Sequence, residues 1–118
     1  MAEVVPATGH PRSGLKYAFA EVAASQTDAV IVAAVAGRRI RVHQLRSMCG
    51  ATATTLRFNS KGAGAGTAID ATLTPAANGG AVNPFSEAGW FETNEGEGLT
   101  VNTGAGATTG ILVGYTLV

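Results

Sequence analysis

From Lys16 onward, apolar and polar residues alternate with a period of two, in short runs separated by turn residues. In the first run Tyr17, Phe19 and Glu21 fall on one face, and Ala18, Ala20 and Val22 on the other. Residues 29–35 are rich in β-branched side chains and lie between Thr27-Asp28 and Gly37, which predicts a second strand. The alanines within residues 22–36 would suit a helix, but Ser25, Gln26 and Thr27 interrupt it. Over residues 38–49, Ile40 and Val42 alternate with Arg39, Arg41 and His43, and then Leu45, Ser47 and Cys49 continue on the opposite parity. A bulge near Gln44 keeps both sets on the core side, because one extra residue resets a period of two.

Thr54, Leu56 and Phe58 alternate with Thr55, Arg57 and Asn59, and the glycine-rich residues 60–66 read as a hairpin tip. A strand over residues 67–74 follows, with Ile69, Ala71 and Leu73 on one face. Asn78-Gly79 predicts a hairpin turn, since both central residues of such a turn take positive φ. Short strands at residues 81–83, 90–93 and 99–103 come next, with a turn at residues 94–98 between the last two. Residues 108–118 put Ile111, Val113, Tyr115 and Leu117 on one face and Leu112, Gly114, Thr116 and Val118 on the other. The second face is too apolar for free water, so a partner is expected to cover it. The expectation is an all-β, jelly-roll-like antiparallel β-sandwich of about eight short strands. It forms a single domain over residues 16–118, preceded by an extended N-terminal arm over residues 1–15 that contains Pro6, Gly9, Pro11 and Gly14. The arm either frays or orders on a neighbouring subunit.

A chain of 118 residues has room for one core. Charged residues make up only 14% of it, against roughly 25% in typical soluble domains. Weakly polar surface is therefore expected to meet other copies, as a homo-oligomer. Net charge is zero, yet every Lys and Arg lies at or before Lys61, while Asp70, Glu87, Glu92, Glu95 and Glu97 come later. If the halves interleave, cross-strand pairs neutralise them; if they occupy different faces, they set complementarity between copies. A nucleic-acid partner would call for a basic excess, which is missing. The run 29–36 is far short of a membrane span, the first residues lack the pattern of a secretory leader, and Cys49 is alone.

Reaction chemistry finds little to use. A hydrolytic triad needs a nucleophile, an imidazole and a carboxylate together. The two histidines are His10, in the arm, and His43, read as an outward or rim position. One cysteine and two distant histidines do not make a zinc set, and residues 94–97 lack calcium-loop spacing. Gly62, Gly64 and Gly66 follow Lys61 and precede a strand, the reverse of a phosphate-binding loop. No catalytic residue, metal ligand or cofactor is expected, and the chain is not read as an enzyme. Arg38, Arg39 and Arg41 form either a solvated strand edge, paired with later carboxylates, or an anion or interface patch. Trp90, the only tryptophan, stands beside Phe91 and reads as a core or interface anchor rather than a sugar platform.

Several segments, in one order, resemble a family of small virion proteins of tailed bacteriophages and prophages. They are residues 32–42, from Val32 through Arg38, Arg39 and Ile40 to Val42; residues 66–69; residues 73–80, with Pro75, Asn78 and Gly79; Asn83-Pro84-Phe85; residues 89–93; and residues 96–102. The arm and the tip at residues 61–66 depart from the pattern. The resemblance implies a compact β-sandwich on the capsid exterior, made in the bacterial host cytoplasm and assembled into the virion. It implies a capsid decoration, or cement, protein that acts as a homotrimer bound to the major capsid protein. It also implies an alternative, a tail-fibre or head-spike module that recognises a cell-surface glycan. The residues expected at the subunit interface are Leu112, Tyr115, Thr116 and Val118. Those expected at the capsid are the arm with Arg38, Arg39 and Arg41.

Overall fold

The computed structural model describes residues 2–4 and 14–118. Most of the expected arm therefore lies outside the described residues. Within it, Ala2–Val4 (β1) pairs antiparallel with Lys16–Val22 (β2). The strands that follow are Ala29–Val32 (β3), Ile40–Cys49 (β4), Leu56–Lys61 (β5), Thr67–Ala68 (β6), Gly80–Asn83 (β7), Phe91–Glu92 (β8), Gly98–Thr103 (β9) and Thr109–Leu117 (β10). There is no helix among the described residues.

The strands form two antiparallel sheets. Among the described residues the larger has six strands in the order β1-β2-β10-β4-β7, with β8 also paired to β4; the smaller runs β3-β9-β5-β6. Their facing sides make the core. Ala18, Ala20 and Val22 of β2, Ile40, Val42 and Leu45 of β4, and Ile111, Val113 and Tyr115 of β10 come from the larger sheet. Ile31, Val32, Leu56, Phe58, Leu99 and Val101 come from the smaller. Each large side chain buried here contributes roughly 1.5–3 kcal/mol before conformational entropy is charged against it. Phe91 stacks on Phe58 at 5.7 Å between ring centroids and so ties β8 to the interior.

The parity change in β4 is a bulge. Gly114 pairs with Gln44 and Tyr115 with Val42, leaving His43 as the extra residue. The sequence pattern places it one position away, and the reason is the same: both Val42 and Leu45 must reach the core.

Other expectations are corrected. β3 stops at Val32 rather than Val35, because β9, its partner, begins at Gly98 opposite that point. Residues 67–74 are not one strand. Thr67–Ala68 pairs with β5 as the hairpin requires, Ile69 N–H still donates to the Phe58 carbonyl, and the chain then leaves β5 until Leu73 rejoins it by a bridge to Leu56. The Asn78-Gly79 turn is not a hairpin. Asn78 alone takes positive φ (57°), and the segment carries the chain from Leu73 in the smaller sheet to β7 in the larger. The turn at residues 94–98 likewise crosses from β8 to β9, in the opposite sheet.

Candidate functional site

The outer face of the larger sheet is the most unusual surface among the described residues. In register across four strands lie Phe19, Leu112, Arg46 and Val82. The adjacent row holds Glu21, Gly110 and Met48. Phe19 is 44% exposed, Met48 63% and Val82 72%. An open hollow of about 480 Å³ lies over Gly110, lined by Phe19, Glu21, Arg46, Met48 and Leu112 among others. These side chains point outward because Ala18, Ala20, Ile111, Leu45 and Ser47, one residue away on each strand, fill the interior.

The other end of the same face is covered by the chain between β7 and β8. His43, placed outward by the bulge, lies beneath it and is only 6% exposed, which corrects its reading as a rim residue. Its ring stacks on Phe85 at 5.5 Å. Nδ1 lies 2.8 Å from the Ser86 carbonyl and Nε2 2.8 Å from Thr116 Oγ1. A carbonyl only accepts, so Nδ1 carries a proton and, in the neutral ring, Nε2 accepts from the Thr116 hydroxyl. Trp90 sits at the end of this strap and donates from Nε1 to the Pro84 carbonyl at 2.8 Å. It is 47% exposed, so Phe91 is the core anchor and Trp90 is not.

The arginine cluster divides. Arg41 Nε donates to Glu92 Oε2 at 3.0 Å, and Arg39 approaches Glu92 Oε1 at 4.0 Å. The segregated charges therefore interleave here, in half-exposed pairs worth about 0–1 kcal/mol each. Arg38 is exposed, and its carbonyl accepts from Gly96 N–H. Of the residues expected at a subunit interface, Leu112 lies on the open row and is half-buried. Thr116 is held by His43, and Val118 is exposed beyond β10, its backbone paired with that of Arg39. Tyr115 is 4% exposed and packs in the core, on the parity of Ile111 and Val113. It does not belong to the outer surface. Phe19, Arg46, Met48 and Val82 take its place there. Their signal was parity alone, opposite to the core residues of their own strands.

The smaller sheet carries a polar cluster that sequence reasoning missed. Asp28 Oδ1 accepts from Asn59 Nδ2 (3.1 Å) and Thr100 Oγ1 (2.9 Å), while its Oδ2 accepts from Gly66 N–H (3.0 Å). Asn102 Oδ1 accepts from Asn59 Nδ2 and from Asp28 N–H. Burial pushes the Asp28 carboxyl up, but the hydrogen bonds from Gly66, Thr100 and Asn59, with Lys61 nearby, outweigh it and hold the group below its ordinary value. Each side chain in the cluster is engaged by another, so it fastens the glycine-rich hairpin tip to the sheet.

No group of three or more His, Cys, Asp or Glu side chains suited to a metal ion occurs among the described residues. Comparison with family models, curated proteins and solved structures returns no match.

Proposed function

We propose that this protein is a bacteriophage virion structural protein: a capsid decoration protein, jelly-roll-like in its sandwich topology, that trimerises and binds the outside of the capsid through the major capsid protein. The observation that carries this reading is the open row of Phe19, Leu112 and Val82 with neighbouring Met48, an uncovered apolar surface on a weakly charged chain. The ordered resemblance to tailed-phage virion proteins supports it from the sequence. The role is adhesive. A standard interface buries about 1,600 Å² in total, and repeated contacts over a shell add avidity.

Arg38, which has no ion pair among the described residues, and Arg39, which approaches Glu92 only at 4.0 Å, are the attachment residues in this reading, because Glu92 engages Arg41 more closely, at 3.0 Å. The test is addition of purified protein to purified capsids that lack it, with occupancy read by quantitative gel and electron microscopy. Binding at hundreds of copies per particle, reduced about tenfold or more by Arg38→Glu with Arg39→Glu, is the expected result. Absence of capsid binding overturns the assignment.

A second reading, a tail-fibre or head-spike module that binds a surface glycan, is favoured by the half-exposed Trp90, two residues before Glu92 in the chain. A glycan array in which Trp90→Ala abolishes a specific signal would select it over decoration.

A further inference from the structure

We propose that the outer face of the larger sheet receives a second copy of this chain, the β2 flank of one copy meeting the β4 flank of the other so that Glu21 faces Arg46 across the contact. The inference deepens the structural reading above, on which it rests for its biological setting.

Two observations identify the occupant. First, the open end of the face, away from the Arg41–Glu92 pair, carries one acid and one base on opposite flanks of β10. Glu21 is paired in register with Gly110, and Arg46 with Leu112. The two ion pairs among the described residues involve Arg39, Arg41 and Glu92, leaving Glu21 and Arg46 without one. A nucleic acid or an anionic membrane would meet the carboxylate with repulsion, whereas a second copy presents the opposite charge at each flank. Second, the apolar surface is complementary in relief. Gly110 has open space where a side chain would stand, and this bare backbone floors the hollow of about 480 Å³. Met48 at 63% exposure and Phe19 at 44% are the projecting groups available to fill such a hollow in another copy. A closed arrangement that brings unlike flanks together buries both apolar halves and satisfies both charges.

Sedimentation velocity over a concentration series tests this with four proteins: the parent, Arg46→Glu, Glu21→Arg and the double exchange. The parent is expected to self-associate. Each single exchange sets like charges together and is expected to weaken association on the order of 100-fold. The double exchange restores it to within about tenfold, an outcome that general loss of folding does not produce. Gly110→Gln is the packing control, since its side chain enters empty space, leaving thermal stability unchanged while blocking association. A parent that stays monomeric at every concentration overturns the proposal, as does an assembly indifferent to all three substitutions. Capsid occupancy scored in parallel separates the two levels: a monomer that still coats capsids refutes the self-contact and leaves the virion reading standing.

Discussion

Asp28 and Asn59 are joined by a hydrogen bond of 3.1 Å that spans the strand lying between them, β9, where Thr100 and Asn102 complete the cluster. The start of β3, the middle of β5 and the hairpin tip at Gly66 are thus fixed by one carboxylate. Its folded-state pKa lies below the unfolded value. The stabilisation is therefore complete above the unfolded pKa, near pH 4, and is lost as pH falls through the lower folded value. Urea unfolding is expected to give constant stability from about pH 7 to 5 and a decline below about pH 4. Asp28→Asn should flatten that part of the decline and cost about 1–3 kcal/mol at neutral pH, since one amide NH₂ must then face the Gly66 N–H. Backbone strain does not confuse the comparison: Asp28 has φ of 51°, and asparagine tolerates that region as readily.

Ser60 makes the corresponding clamp at the far end of β5. Its hydroxyl donates to Glu97 Oε1 at 2.6 Å and accepts from Asn94 N–H at 2.9 Å. Ser60→Ala leaves that amide without its partner, at a cost of about 1–3 kcal/mol. Hydrogen exchange at Asn94 should accelerate by more than exchange in β10, because the lesion loosens the crossing turn before it reaches the core.

Two glycines on the larger sheet should respond in opposite ways. A Cβ at Gly80 would overlap the Ser47 carbonyl on β4, a backbone atom that cannot step aside without breaking strand pairing. Gly80→Ala is expected to destabilise by about 3 kcal/mol and to expose the amides of β7 to exchange. Gly110→Ala meets nothing within 4 Å and should stay within about 0.5 kcal/mol of the parent. Thermal denaturation of the two variants side by side checks this.

His43 holds the strap that ends at Trp90. Replacing it with leucine removes the donor to the Ser86 carbonyl and the acceptor for Thr116. The strap should loosen while the sandwich persists. Because Trp90 is the only tryptophan, its emission reports on this segment alone: a red shift and stronger iodide quenching are expected in His43→Leu. Unchanged emission would mean that the strap is held by Phe85 and Trp90 without the imidazole.

Alternation made much of this fold readable. Ala18, Ala20 and Val22 could be separated from Phe19 and Glu21 by parity alone, and the switch between Val42 and Leu45 demanded an extra residue. Parity also consigns Tyr115 to the interior with Ile111 and Val113, against its expected place at an interface. Connectivity was harder to read. Asn78-Gly79 specifies a local reversal, but nothing in the dipeptide says whether the next strand joins the same sheet or the opposite one. Asn59 lies on an outward parity and is nonetheless fully buried, because the hairpin tip folds back over it through Gly66 and Asp28. Burial of that kind depends in part on Asp28 and Asn102, 31 and 43 residues away, which no local pattern encodes.

The position of β10 bears on how the molecule comes to be made. A ribosome releases β2 and β4 long before Thr109–Leu117, yet those two strands do not touch each other in the sheet; β10 lies between them and pairs with both. Until it emerges, each waits with an unsatisfied edge, so the sandwich closes only after synthesis of this stretch. Nascent chains halted before Thr109 should therefore be the species that proteases and chaperones see.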